Sequence, residues 1–335
     1  IAFCTFEKRK DWTYTIRVPQ TTKYPSFWKK RLAAAHTLSG EELAYLDSIY
    51  GRFLGEACSA FIRKHQCDVD FISSHGHTVF HQPSRDFTLQ IGNGNAIHAV
   101  TRIPVVYDFR SLDVLLGGEG APLVPVGDKL LFHDFEVCLN MGGIANISLD
   151  RKKDRVAFDV CFCNTPLNHL AAKVGKDLDR DGELASKGEI NGPMLRKLSG
   201  IYRGIRSKRP SLGREMFEKK FQPLLDREDV PLNDRLRTCV ESTAVEIVTS
   251  IKDFGKNKKV LCTGGGAFNP LLIACILEHA GDDLTFILPE REVINFKEAL
   301  VFAFLGVLRV RGEVNCLRTV THASRDSSVG VLAGF

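Results

Sequence analysis

Two glycine-rich turns, each directly after an apolar segment, constrain this chain more than any other feature. The first follows residues 137–141 and contains Gly142 and Gly143, and the second follows residues 260–263 and contains Gly264, Gly265 and Gly266. Glycine permits positive φ and lets main-chain N–H groups approach an anion with no Cβ in the way. One such turn alone is usually only a tight turn, whereas two in one chain indicate two walls of a nucleotide site.

Composition narrows the class of protein. The chain has 335 residues and a net charge of +5, enough length for one large or two medium domains. Ten scattered cysteines without a C-x-x-C pair favour a reducing cytoplasm over a disulfide framework. No apolar run approaches the roughly 20 residues of a membrane span, and no signal peptide is visible. The densest basic stretch, residues 203–220, lacks interleaved aromatic residues, so we interpret it as a solvated face and expect neither nucleic-acid nor membrane partners.

The hydrophobic pattern predicts hairpins first and then strands that alternate with helices. Residues 5–18 are typical of a hairpin, and residues 27–64 have a helical period with a helix entry at Ser39. Further strands are predicted at residues 69–74 and 105–110, and further helices at residues 166–174, 239–254, 270 onward and 296–310. Residues 117–122 interrupt the pattern and predict a crossing between two lobes. The pattern indicates an α/β chain with mixed sheets.

Several short motifs in order resemble one family, the anhydro-N-acetylmuramic acid kinases. They are Ser74-His75-Gly76-His77-Thr78-Val79, Gln90-Ile91-Gly92-Asn93, Asp108-Phe109-Arg110, Gly118-Glu119-Gly120-Ala121-Pro122, the two glycine turns, Asp179-Arg180-Asp181-Gly182 and Gly213-Arg214-Glu215. The resemblance implies a two-lobed actin/hexokinase-like (ribonuclease H-like) fold with a central cleft. It also implies an N-terminal lobe at residues 1–125 and a C-terminal lobe at residues 126–335, with the last helix packing back on the first lobe.

Two departures from the family pattern bear on function. The family's first phosphate loop, Gly-Thr-Ser-x-Asp-Gly, would lie just ahead of Ile1, so the N-terminal lobe is expected to be incomplete at its start. Where the family commonly has Asp-x-Gly-Pro-Gly-Asn, this chain has Asp159-Val160-Cys161-Phe162-Cys163-Asn164. The glycines are absent there, which questions close approach of this backbone to phosphate.

The resemblance implies an ATP-dependent kinase that opens the 1,6-anhydro bridge of its sugar with water and phosphorylates O6. Asp159 corresponds to the family's catalytic aspartate and would be the general base; from the residues alone, it would as readily cap the helix after Asn164. Asp108 is expected to pair with Arg110 or to orient a loop rather than to act as the base. The resemblance implies that Glu298 contacts the sugar; from the residues alone, it would compensate a helix dipole. His75 and Thr78, in a loop after a strand, would also bind the sugar, so the expected substrate-binding set is His75, Thr78, Asp108, Arg110 and Glu298.

The nucleotide is expected on the second set of residues. These are Gly142, Gly143, Asn146, Asn164, Gly264, Gly265 and Gly266, with the helix from Pro270 pointing its positive end at the phosphates. Mg²⁺ is expected only with ATP, without a direct protein cage, because phosphoryl transfer needs charge neutralised between the β- and γ-oxygens. The family also implies a cytoplasmic homodimer that serves cell-wall (peptidoglycan) recycling. The alternatives are a catalytically impaired sugar- or nucleotide-binding protein of the same fold, and a kinase for another sugar.

Overall fold

The computed structural model describes all residues, 1–335, as a mixture of helices and strands. The strands are β1 Ala2–Lys8, β2 Trp12–Pro19, β3 Ile72–Ser74, β4 His77–Gln82, β5 Phe87–Ile91, β6 Val105–Tyr107, β7 Val137–Met141, β8 Ile144–Arg151, β9 Asp154–Phe162, β10 Lys258–Thr263, β11 Leu284–Ile287 and β12 Val331–Ala333. The α-helices are α1 Ser26–Ala34, α2 Gly40–His65, α3 Gly94–Thr101, α4 Ser111–Leu115, α5 Val124–Leu131, α6 Asn164–Ala172, α7 Gly192–Lys208, α8 Arg214–Met216, α9 Gln222–Leu225, α10 Leu232–Lys252, α11 Pro270–Ala280, α12 Arg291–Val310 and α13 Arg318–Thr321. A π-helical turn, Phe217–Phe221, joins α8 to α9.

The chain divides into two compact units. Unit 1 comprises Ile1–Leu131 and Phe296–Phe335, and unit 2 comprises Phe132–Asn295. The first boundary falls after Leu131 rather than after residue 125. The expected last helix, residues 296–310, groups with unit 1 together with the residues after it. Residues 117–122 lie within unit 1 and are not a crossing between units. The glycine and proline residues there indicate a loop, whereas the unit to which a segment belongs depends on tertiary contacts that this local pattern does not reveal.

Unit 2 is built on a five-stranded mixed sheet with the order β11-β10-β7-β8-β9. β7, β8 and β9 form an antiparallel meander, while β10 is parallel to both β7 and β11. Numbered within the unit, the order is 3-2-1-4-5, which is the topology of the ribonuclease H-like class. The core consists of buried side chains from the central strands and the packed helices, among them Leu139, Ile147, Leu170, Ile247 and Leu272. The predicted α/β class with mixed sheets is confirmed.

Unit 1 contains two hairpins and a short mixed sheet. β1 pairs with β2, β4 pairs with β5, and β6 lies between β3 and β12. Helix α2 begins after Ser39, whose hydroxyl accepts a hydrogen bond from the Glu42 N–H while the Glu42 carboxylate accepts one from the Ser39 N–H. This reciprocal cap satisfies N–H groups that a helix start leaves unpaired, so the predicted helix entry is confirmed. Leu46 and Tyr50 of this helix and Trp28 of α1 form part of one buried cluster.

Two predicted helices begin earlier than expected. α10 begins at Leu232 rather than at residue 239, and α12 begins at Arg291 rather than at residue 296. In both cases the first turns carry charged and polar residues, which obscure the helical period in the sequence. None of the helices combines the length and the apolar character that a membrane-spanning helix needs.

Candidate active site

The first glycine turn closes the β7–β8 hairpin and joins it to helix α6. Its carbonyl oxygens accept hydrogen bonds from the start of α6: Gly143 O from the N–H groups of Cys163 and Thr165, and Gly142 O from the Asn164 N–H. Neither glycine has positive φ, so the backbone conformation of this turn does not itself require glycine. A Cβ on Gly143 would lie 3.0 Å from Thr165 Oγ1. Close packing of α6 therefore accounts for glycine at Gly143, whereas a Cβ on Gly142 would have no neighbour closer than 3.6 Å.

The second glycine turn follows β10 and lies against the first. Gly264 has φ +82°, and a Cβ there would lie 2.6 Å from Asn140 Oδ1 and 2.8 Å from the backbone of Met141. A Cβ on Gly266 would lie 2.8 Å from Met141 Cβ and 3.2 Å from Cys163 Sγ, and one on Gly265 would be 3.6 Å from Asn164 Nδ2. The predicted nucleotide residues of the two turns therefore come together within unit 2, and we call them the glycine-loop cluster (Gly142, Gly143, Asn164, Gly264, Gly265 and Gly266).

The hydrogen bonds of the cluster decide which groups remain for an anion. The first N–H groups of α6 are bonded to the turn carbonyls, and Asn164 Nδ2 donates to Met141 O at 3.1 Å. At α11, the Asn269 side chain accepts from the Leu271 and Leu272 N–H groups, and Pro270 has none. The helix starts therefore offer few free N–H donors to an anion. The N–H groups that donate to no other group of the chain belong to the loops themselves: Gly142, Gly143, Gly265 and Gly266.

A row of polar side chains crosses the sheet beside this cluster. Asn140 on β7 pairs with Asn146 on β8, which pairs with Asp159 on the edge strand β9. Directly opposed residues in neighbouring strands point to the same face of a sheet. The register shifts next to this pair, because Ala145 pairs with Cys161 and leaves Val160 as an extra residue. This bulge sends Asp159 to the Asn146 face and the fully buried Cys161 to the other.

Asp159 holds one oxygen fixed and one free. Its Oδ2 accepts a hydrogen bond of 2.8 Å from the Leu212 N–H, while Oδ1 has no partner within the chain. Burial raises the pKa of Asp159 above its usual value, and the bond from Leu212 opposes that rise. The alternative role as a helix cap is wrong, because α6 has no side-chain cap and Asp159 bonds elsewhere. A partly buried carboxylate with a raised pKa and a free oxygen suits proton transfer.

In unit 1, His75 and Arg110 form a tight pair. Arg110 Nε and Nη2 lie 3.1 and 2.8 Å from His75 Nε2, and Nη1 donates to Gly120 O at 2.6 Å. His75 Nδ1 lies 3.2 Å from Gly76 O, which fixes the neutral Nδ1–H tautomer. Burial, followed by the Arg110 charge, lowers the pKa of His75 to about 4. The Phe302 ring of α12 packs against His75 at 4.5 Å between ring centres.

The other predicted sugar-binding residues, Asp108, Thr78 and Glu298, differ in their exposure and in their contacts. Asp108, with φ +51°, does not pair with Arg110; its Oδ1 accepts from Ser111 N–H and Oγ and so begins α4. Thr78 lies on β4 rather than in a loop, exposed, opposite Gln90. Glu298 is exposed and lies two turns inside α12, beyond the first turn where dipole compensation acts. Burial lowers the pKa of Arg110, and the charge of Glu298 opposes that change.

Sequence reasoning did not identify several residues that complete these clusters. Asn140 was recognisable as a polar residue ending an apolar strand, whereas Leu212 contributes only its N–H group and leaves no sequence signal. Phe302 is one apolar residue among many in α12. The structure shows no group of three or more His, Cys, Asp or Glu side chains with the geometry to hold a metal ion.

Comparison with known proteins defines the class. Residues 14–334 match the family model described as anhydro-N-acetylmuramic acid kinase. The enzyme of that name from Vibrio parahaemolyticus is 36% identical over 280 residues, covering 78% of this chain and 74% of the relative. The one from Mannheimia succiniciproducens is 34% identical over 349 residues, covering 93% and 89%.

Among solved structures, the activator of the 2-hydroxyisocaproyl-CoA dehydratase from Clostridium difficile with bound ADPNP has a TM-score of 0.35 and 14% identity, covering 53% of this chain and 62% of that one. A similarity this low carries no argument about ligand or arrangement. The sequence matches, in contrast, place the chain among the kinases. It belongs to the anhydro-N-acetylmuramic acid kinase family.

Proposed function

We propose that this chain converts 1,6-anhydro-N-acetylmuramic acid and ATP into N-acetylmuramic acid 6-phosphate and ADP. Water attacks the anomeric carbon, the bond from that carbon to O6 breaks, and O6 takes the γ-phosphoryl group of ATP. The family match over residues 14–334 supports the reaction class and the sugar. Family membership across nearly the whole chain does not favour the alternative of an impaired binding protein, or of a kinase for another sugar.

Asp159 is the proposed general base, and its geometry is the observation that carries the proposal. The free Oδ1 would take the proton of the attacking water while Oδ2 stays bonded to Leu212. Burial places the pKa of this carboxyl above its ordinary value, closer to the operating range of a base. Asn146, directly beside it, carries a neutral amide that would orient the water or a phosphate oxygen.

The glycine-loop cluster is the proposed site for the ATP phosphates. A side chain on Gly264 or Gly266 would collide with Met141, so this cradle exists only with glycine. The unbonded N–H groups of Gly142, Gly143, Gly265 and Gly266 would contact the phosphate oxygens. When bound with the nucleotide, Mg²⁺ supplies charge neutralisation between the β- and γ-phosphoryl groups.

The sugar is assigned to the residues of unit 1. Arg110, held by Gly120 and His75, offers a positive charge, and Glu298 offers an exposed carboxylate for hydroxyl groups. His75 stays neutral because of its lowered pKa. Thr78 and Asp108 would contact the sugar with their remaining polar atoms. Their direct roles, a homodimeric assembly, a cytoplasmic location and a part in peptidoglycan recycling belong to the same proposal.

The cysteines that replace family glycines are compatible with it. Cys161 and Cys163 are fully buried, and burial raises the pKa of both thiols, so they are inert packing residues. Cys163 still donates its N–H group to Gly143 O at 2.8 Å. The backbone there fastens the first glycine turn and leaves phosphate contact to the turn itself.

The test compares three acceptors with the purified chain and ATP. We expect phosphorylation of anhydro-N-acetylmuramic acid and none of N-acetylglucosamine or glucose, measured by coupled ADP release and by mass spectrometry of the product. Turnover of glucose alone would exclude the proposal. ATP binding without turnover of any acceptor would favour the impaired binding protein.

A further inference from the structure

Arg209 has an unusual backbone for its residue type. It follows α7 with φ 47° and ψ 51°, the left-handed conformation, and its N–H donates to Ile205 O at 2.7 Å. Glycine and asparagine are the residues that normally end a helix in this way, because a Cβ is crowded there. Arg102 ends α3 in the same conformation, so the side-chain contacts of Arg209, and not its backbone, carry the argument for a role.

The guanidinium group of Arg209 is held by two aromatic rings. Its Cζ lies 4.3 Å from the centre of the Phe158 ring and 4.8 Å from that of Phe254. The two rings are 5.7 Å apart, centre to centre. Arg209 forms no ion pair, so these ring contacts are the interactions of its charge. A planar guanidinium stacks on both rings, which an ammonium group does not reproduce.

The segment of residues 209–212 also contacts Asp159, the residue that follows Phe158 on β9. Leu212, three residues after Arg209, donates the N–H that fixes Asp159 Oδ2. Phe158 and Asp159 are neighbours on an edge strand and so point to opposite faces of the sheet. Residues 209–212 therefore wrap around the edge of β9, with the guanidinium on one side and the Leu212 N–H on the other.

We propose that Arg209 is a positioning residue: by clamping Phe158 and Phe254 it holds the segment that presents the Leu212 N–H to Asp159. The inference rests on the proposed role of Asp159 as general base. The Leu212 N–H fixes the orientation of the Asp159 carboxylate and opposes the rise in its pKa that burial causes. Without the clamp, Asp159 would lose its one hydrogen bond, its pKa would rise, and a larger fraction would be protonated at mildly acidic pH.

Few other charged groups act on Asp159, so a change in its pKa can be attributed to the loss of the Leu212 hydrogen bond. No cation pairs with it from any neighbouring strand or helix. Of the titratable groups nearby, Cys161 feels the charge of Asp159, and burial raises the pKa of that thiol far enough to keep it neutral. Asn146 on β8 is neutral as well. Glu246 of α10, whose pKa burial raises, lies on the Cys161 side and pairs with Arg206.

The experiment compares Arg209→Gly with the matched control Arg102→Gly. Both arginines are exposed, end a helix in the left-handed conformation and donate an N–H of 2.7 Å to the fourth residue before them. Glycine relieves the same backbone crowding in each, so neither change is expected to unfold the chain. Only Arg209→Gly removes the ring clamp. A third variant, Arg209→Lys, keeps the charge but not the planar stack.

For Arg209→Gly we expect the acid limb of kcat/KM to move up by about one pH unit, so that kcat/KM falls by up to about tenfold at pH values below the wild-type limb while KM for ATP is unchanged. Arg209→Lys is expected to lie between this variant and the wild type, and Arg102→Gly is expected to match the wild type. An acid limb at the wild-type pH in Arg209→Gly overturns the inference, as does an equal loss at every pH with a lowered Tm. Activity retained in Asp159→Asn would instead refute the proposed base itself, so the two failures are distinguishable.

Discussion

Gly264→Ala tests the glycine-loop cluster most quantitatively. Gly264 has φ +82° and ψ 166°, a region that is essentially restricted to glycine, and placing alanine there costs about 1–3 kcal/mol. The added Cβ would lie 2.6 Å from Asn140 Oδ1 and 2.8 Å from Met141 N and C. Such overpacking costs about a further 1–3 kcal/mol. The free energy of unfolding should therefore fall by about 2–6 kcal/mol.

Gly142→Ala is the matched control for that substitution. Its φ is not positive, and its Cβ would have no neighbour closer than 3.6 Å, so its effect should stay within about 1 kcal/mol. Urea denaturation followed by circular dichroism measures both variants, and KM for ATP measures the effect on the cluster. KM should rise more in Gly264→Ala, because the loop must shift away from Met141. Equal stability and equal KM in the two variants would refute the packing argument.

Three further predictions follow from the two units. Asp159→Asn should lower kcat by about 10²-fold or more while calorimetry still shows ATP binding, since the amide cannot take a proton; a near-native rate would make Asp108 the better candidate base. His75, with a pKa of about 4 caused by burial and then by Arg110, should show no protonation by NMR above about pH 5. Because its folded pKa lies below the unfolded value, its contribution to stability is complete above pH 6.5 and is lost as the pH falls from 6.5 towards 4, and His75→Gln should flatten that decline. At Asp226, burial would raise the pKa, but hydrogen bonds from Lys173 and His169 outweigh burial and bring the pKa to about 2. Asp226→Asn should therefore lower Tm at pH 7 and remove the part of the acid destabilisation that develops as the pH falls from about 4 to 2. An unchanged dependence of Tm on pH would show that these hydrogen bonds contribute nothing to stability.

The sequence revealed the parts of the fold that have local signals. A few adjacent residues are enough to predict the N-terminal hairpin, the capped start of α2 and the proline at the start of α11. The apolar strands before the two glycine turns likewise announced β7 and β10. Helix starts at Leu232 and Arg291 were missed because polar first turns interrupt the hydrophobic period.

The candidate site was predictable in residue type more than in geometry. Glycines at the two turns and an aspartate on an apolar strand are visible in the chain. The bulge at Val160 that turns Asp159 towards Asn146 is a register property, which depends on pairing between strands far apart in sequence. The N–H of Leu212 and the inward turn of Arg110 onto His75 depend on tertiary contacts, and no local pattern encodes them.

A crystal structure with a non-hydrolysable ATP analogue tests the central claim most directly. We predict that the phosphates contact the N–H groups of the glycine-loop cluster, with the terminal phosphate beside the Asn146 and Asp159 side chains. An analogue bound elsewhere, with those N–H groups untouched and Asp159 remote from the terminal phosphate, would contradict the account.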